Sequence, residues 1–182
     1  MISYPQFDFA SPPRTGTAWF VDACFRSGIG ERSRGSVHLP HEKQRKTFCV
    51  TQVRHPCSWL ASYWTTIFPG HIGVDCVDTF RFLRGGTFDQ FVTSYLKKIP
   101  GGIGRMFAAY DADNYLRLED QPGAFLELME SVGIRVRWKT IMPYGVMNKT
   151  LKVKPKWHAA MWQAVMKSEQ EMVERFGYDS RF

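Results

Sequence analysis

The chain has 182 residues and carries 24 Lys plus Arg against 17 Asp plus Glu, a formal charge of +7. Apolar side chains make up 44% and aromatic ones 15%, which excludes a disordered chain. The length fits a single domain over residues 1–182 that buries its own core, and the basic balance favours an anionic ligand.

Tyr4 opens a segment, residues 4–10, in which Phe7 and Phe9 flank Asp8, the alternation of a short strand. A break at Ser11-Pro12-Pro13-Arg14-Thr15-Gly16 follows, and TAWFVDACFR, residues 17–26, reads as a helix. Beyond a Gly-rich polar loop and the segment Gly35-Ser36-Val37-His38-Leu39-Pro40, residues 47–53 are rich in β-branched side chains without strict alternation. That is the pattern of a strand buried on both faces. Arg54-His55-Pro56 ends it, and residues 57–68 read as a helix.

Residues 88–98 space Phe88, Phe91, Val92, Tyr95 and Leu96 as one helical face. A short helix over 103–110, a strand over 114–118 and a helix over 122–132 follow, the last with Pro122 in its first turn and Gly133 past its end. Residues 134–142, IRVRWKTIM, alternate like an edge strand, and a long final helix is expected over 155–176, stopped by Gly177. Strands alternating with helices predict an α/β fold, a central and mainly parallel sheet flanked by helices.

Several classes fall away. The longest run free of Asp, Glu, Lys and Arg, residues 55–74, holds two His and two Pro, too polar for a membrane span. The first residues lack the basic start and apolar stretch of an export signal. Cys24, Cys49, Cys57 and Cys76 form no CxxC pair and read as reduced, mostly buried thiols, so a cytoplasmic location is expected. No HExxH and no metal-spaced His cluster is present, and neither GxxxxGK[ST] nor GxGxxG occurs.

In α/β folds ligands sit at the carboxyl ends of strands, and two strand-to-helix turns here carry suitable chemistry. The first is Pro13-Arg14-Thr15-Gly16-Thr17-Ala18-Trp19. A helix start offers unpaired N–H groups and a positive dipole end to an anion; Gly16 permits close approach, the threonines offer hydroxyls and Arg14 adds charge. The same residues also suit an ordinary capped turn, with Thr17 as cap and Trp19 in the core. The second turn runs Arg54-His55-Pro56-Cys57-Ser58-Trp59-Leu60-Ala61-Ser62-Tyr63. Arg54 at the strand end and Ser62 in the second helical turn can converge on one anion, or serve as a surface Arg and a packing Ser.

Taken together, these segments resemble the sulfotransferases that use 3′-phosphoadenosine 5′-phosphosulfate (PAPS). PRTGTAW resembles the family's 5′-phosphosulfate loop, typically PKSGTTW, and RHPCSWLASY its 3′-phosphate motif. SVHLP is similar to the KTHLP segment carrying the catalytic base, RLEDQP to YEDL…P, and Phe176-Gly177-Tyr178 to the ending of many bacterial members. The resemblance covers most of the chain in the family's order. It implies a three-layer, P-loop-like fold and transfer of a sulfuryl group from PAPS to a hydroxyl or amine, with no metal.

By this resemblance Arg14, Thr15, Gly16, Thr17 and Ala18 form the loop around the 5′ phosphosulfate, with Arg14 stabilising charge during transfer. Trp19 stacks near the adenine, Arg54 and Ser62 hold the 3′ phosphate, and His38 is the general base. Lys149, Lys152 or Lys154 stands in for a missing C-terminal RKG element. Ser36, Ala18 and Leu118 depart from the family pattern, where Lys, Thr and Tyr are usual. The expected partner is a small-molecule, carbohydrate or protein acceptor rather than nucleic acid or membrane. The alternatives are a non-catalytic nucleotide binder of the same fold, and a P-loop nucleotide kinase.

Overall fold

A computed structural model of the chain describes residues 1–30, 38, 48–67, 86–141 and 155–179. It is a mixed α/β structure whose contacts divide the chain into two units. The first comprises Met1–Val53 and Ala109–Lys149, and the second Arg54–Ala108 and Thr150–Phe182.

The first unit is built around the buried run that suggested a strand. β3, Cys49–Val53, is buried at all five positions. It pairs in parallel with β2, Asp8–Phe9, and with β4, Asn114–Arg117. β1, Ile2–Ser3, joins β2 antiparallel, so the sheet order is β1-β2-β3-β4. The expected strand over 4–10 is therefore shorter, because Pro5 and Gln6 form a two-residue hairpin closed by the Tyr4 N–H on the Phe7 carbonyl, 2.8 Å. Proline presets such a turn and cannot donate to a ladder.

One face of the sheet carries Phe7, Phe9, Val50 and Leu116, and two helices cover it. α1, Thr17–Arg26, contributes Phe20, Ala23 and Cys24; α5, Gly123–Ser131, contributes Phe125, Leu128 and Met129. Phe20 stacks on Phe9 at 4.0 Å between ring centroids and meets Phe125 edge-on at 5.5 Å. Each such pair contributes about 0.5–1.5 kcal/mol beyond its burial. α1 ends where Gly28 takes a left-handed backbone, φ 73°, which turns the chain so that the Ile29 N–H closes on Cys24 O and Ile29 enters the core. A 3₁₀ turn, Leu118–Asp120, links β4 to α5.

Residues 134–142 correct the expectation of an edge strand. Ile134 and Val136 do pack on the core and Arg135 and Arg137 face out, but the segment joins no strand. It runs without regular structure into a short helix, α6, Trp138–Ile141, whose Ile141 is buried. The alternation reported one-sided burial, which an unpaired extended segment satisfies as well as a strand does.

The second unit is helical: α2, Pro56–Ile67; α3, Phe88–Lys98; α4, Gly102–Ala108; α7, Ala159–Ser168; and α8, Gln170–Arg175. α3 begins with a reciprocal capping box, Thr87 accepting from Gln90 N and Gln90 accepting from Thr87 N, and ends on Lys97 and Lys98. The long helix expected over 155–176 is two helices. It begins at Ala159 and breaks at Glu169, whose carboxylate is buried against α3 and α4. Tyr95 donates its hydroxyl to that carboxylate, which also accepts from Gly104 N at 2.8 Å. The break aims a polar side chain inward, which an uninterrupted amphipathic face would not favour.

Candidate functional site

The chemistry singled out in the first unit gathers at the turn from β2 into α1. Gly16 is the cap residue of α1 in the left-handed conformation, φ 88°, and no side chain caps the helix start. The Trp19 N–H already bonds Gly16 O at 3.0 Å, so the donors this start leaves uncapped are the N–H groups of Thr17 and Ala18. A Cβ at Gly16 would clash only with the movable Cδ1 end of the Leu118 side chain, so it is the left-handed conformation that calls for glycine. Arg14 is also left-handed, φ 70°, which costs a non-glycine residue about 1–2 kcal/mol. Ala18 is exposed at the helix start.

The two threonines play different parts. Thr15 is fully buried, and its hydroxyl donates to Pro12 O at 2.6 Å while accepting from the Ser11 hydroxyl at 2.5 Å. It is a strut inside the turn, which corrects the expectation that both hydroxyls face a ligand. The Thr17 hydroxyl is buried and makes no hydrogen bond among the described residues.

His38 stands beside this turn. Its Nδ1 lies 2.8 Å from the Ser11 carbonyl, and the Tyr110 hydroxyl donates to the His38 carbonyl at 2.7 Å. A carbonyl only accepts, so Nδ1 carries a proton, and in the neutral ring the lone pair is then on Nε2. That is the tautomer a base requires. The structure thus brings His38 to the loop that begins at Ser11, a contact the sequence reading did not foresee; Ser11 and Tyr110 were missed altogether.

Trp19 is half-buried and packs edge-on against Phe125 at 5.6 Å, combining the core role with an open face. Arg117 pairs with Asp120, Nε to Oδ2 at 2.9 Å, at the segment that resembles YEDL. In the second unit, Arg54 directly follows β3 and Ser62 occupies the second turn of α2, both half-buried. His55 between them is structural. Its Nδ1 accepts from Cys57 N at 3.2 Å and its ring stacks on Trp162 at 4.9 Å. Lys149, Lys152, Lys154, Ser36 and Cys76 lie outside the described residues.

Comparison of the chain with protein-family models, with curated proteins and with solved structures finds no match in any of the three. Among the described residues no group of three or more His, Cys, Asp or Glu is placed to hold a metal. Among them also, no helix is long and apolar enough to cross a membrane. Cys24, Cys49 and Cys57 are buried free thiols, and burial pushes Cys24 up to about 12.

Proposed function

We propose that this chain is a PAPS-dependent sulfotransferase of P-loop-like fold, transferring a sulfuryl group to a hydroxyl or amine with His38 as general base. The observation that carries the reading is His38 held by Ser11 O, its Nε2 left as an acceptor, beside a helix start with uncapped N–H groups. The residues present fit the 5′ end of such a donor. Gly16 holds the left-handed conformation that keeps the backbone bare at the helix start, and the buried Thr17 hydroxyl has no partner among the described residues.

When bound, PAPS supplies a sulfuryl group on a phosphate leaving group, suited to in-line displacement governed by positioning and charge. Arg14, the N–H groups of the turn and the Thr17 hydroxyl hold the oxyanions and stabilise the charge that grows on them. Trp19 offers a ring face to the adenine, and the 3′ phosphate is assigned to Arg54 and Ser62 by the sequence resemblance alone. His38 Nε2 takes the acceptor's proton as the acceptor oxygen or nitrogen bonds to sulfur and the bond from sulfur to the leaving oxygen breaks. Ser11 and Tyr110 keep the imidazole in place while its charge changes.

The test is calorimetry with 3′,5′-adenosine bisphosphate. Micromolar or tighter binding is expected, lost in Arg54→Ala. Absence of such binding, with ATP-Mg bound instead, would overturn the reading in favour of a kinase. Binding of the bisphosphate without sulfation of any hydroxyl or amine acceptor would leave a non-catalytic nucleotide binder. An established sulfation rate unchanged by His38→Ala would remove the base.

A further inference from the structure

Gln52 has no place in the reading above, yet it is the most conspicuous polar side chain in the first unit. It is fully buried, 0% exposed, and neither its amide nitrogen nor its amide oxygen has a hydrogen-bond partner among the described residues. Leaving such an amide unpaired costs a fold about 1–3 kcal/mol, so buried amides are almost always satisfied. Around it on that sheet face stand the apolar Phe9, Val50 and Leu116 and the half-buried Asn114, none of which hydrogen-bonds its side chain.

The register locates it. β3 pairs Val50 with Phe9 on one side and Gln52 with Leu116 on the other, and side chains two apart share a face. Gln52 therefore emerges on the face of Phe9, Val50 and Leu116, the one covered by α1 and α5. It stands one rung beyond Val50 toward the carboxyl ends of the strands. The neighbouring strand has by then passed Ala10, whose N–H bonds Val50 O at 3.2 Å, and entered the Ser11–Thr17 turn. Gln52 thus lies under the turn that starts α1, on the same side as α1 itself. At the first residue of α1, Thr17 brings a second buried hydroxyl without a partner. Two buried polar groups without partners among the described residues thus belong to the elements that border this turn, one to β3 and one to the start of α1.

We propose that Gln52 is the floor of the anion site. Its amide nitrogen donates to an oxygen of a phosphate or sulfate group seated at the α1 start, and its amide oxygen accepts from an ordered water. The proposal rests on the anion-binding half of the functional reading and not on the nucleotide. The amide is sacrificed to stability in the empty protein and satisfied on binding, so removing it has opposite effects on fold and ligand.

The probe is inorganic pyrophosphate, added to the full chain and to Gln52→Met, an unbranched apolar side chain of similar length. Gln52→Met is expected to unfold at the same temperature as the wild type or higher, and to bind pyrophosphate about 10- to 100-fold more weakly, the loss of a hydrogen bond to a charged group. In the wild type, the side-chain amide signals of Gln52 shift in a ¹⁵N spectrum on addition of pyrophosphate, a readout that does not depend on the variant folding. Unchanged affinity in Gln52→Met, or Gln52 signals that stay still while pyrophosphate binds, overturns the proposal and leaves the amide holding buried water. Wild type that binds pyrophosphate but not 3′,5′-adenosine bisphosphate overturns the nucleotide reading alone. Wild type that binds neither overturns both.

Discussion

At the scale of single residues, the turn into α1 separates two identical side chains by what their hydroxyls do. Thr15 spends its hydroxyl on Pro12 O and Ser11, and Thr17 spends its on nothing among the described residues. The same change, hydroxyl to methyl, then has opposite consequences two positions apart. Thr15→Val is expected to destabilise the protein by about 1–3 kcal/mol, because it removes the short bonds to Ser11 and Pro12 O and leaves only the long Ser11-to-Pro12 O bond, 3.4 Å, in the buried turn. Thr17→Val is expected to leave stability unchanged or slightly raised while weakening pyrophosphate binding. Urea unfolding and calorimetry on both variants check the pair, and equal destabilisation would show that Thr17 has a structural partner after all. Only part of this was legible in the sequence. The residue types and their place between strand and helix marked the turn, but not which threonine faces inward. His38 meets Ser11 across 27 residues and Tyr110 across 72, and no local pattern encodes contacts at such separations.

The elements that periodicity read well are those whose burial is one-sided and whose ends carry caps. α1 spans Thr17–Arg26 as expected, between Gly16 and the left-handed Gly28, and α3 spans Phe88–Lys98 as expected behind its capping box. Reading failed where one residue overrode the pattern: Pro5 in the hairpin, the unpaired segment before α6, and Glu169 between α7 and α8. Glu169 also makes a prediction. Burial, opposed by the hydrogen bonds of Tyr95 and Gly104, raises its carboxyl above the ordinary 4.5. A carboxyl raised in the folded state binds its proton more tightly there than in the unfolded chain. Its contribution is complete below the unfolded value and is lost as pH rises through the folded one. The stability of wild type minus that of Glu169→Gln is therefore expected to fall as pH is raised from about 4.5, with other titrating groups cancelling in the difference. Glu169→Ala, which leaves the Gly104 N–H without an acceptor, is expected to cost about 1–3 kcal/mol at any pH. Urea midpoints across the pH series measure both; a difference that grows with pH would mean the carboxylate is bound more favourably in its charged form.

On the scale of the whole molecule, the division into two units follows neither half of the sequence. The chain leaves the first unit after Val53, returns at Ala109 and leaves it again after Lys149, so each unit is assembled from two separated segments. The first unit's central strand gains its four-pair partner β4 only from the second visit, with Val50 meeting Asn114 and Val53 meeting Arg117. Its sheet face likewise waits for Phe125, Leu128 and Met129 of α5. In the second unit, Tyr95 of α3 and the first turn of α4 wait for Glu169. Contacts of such long range must close before they stabilise, which makes folding slow and dependent on the complete chain. A fragment of residues 1–108 keeps β1 to β3 and α1 to α4, and an accounting by helix content alone would rank it as half a protein. Its sheet face keeps α1 but loses α5, its β3 edge is unpaired, and its helices lose the Val165 and Met166 face of α7. The fragment is therefore expected to show no cooperative thermal transition by circular dichroism where the full chain shows one. A sigmoidal melt from the fragment would mean that β1 to β3 and α1 to α4 suffice for a core, and that β4, α5 and α7 are additions to it rather than parts of it.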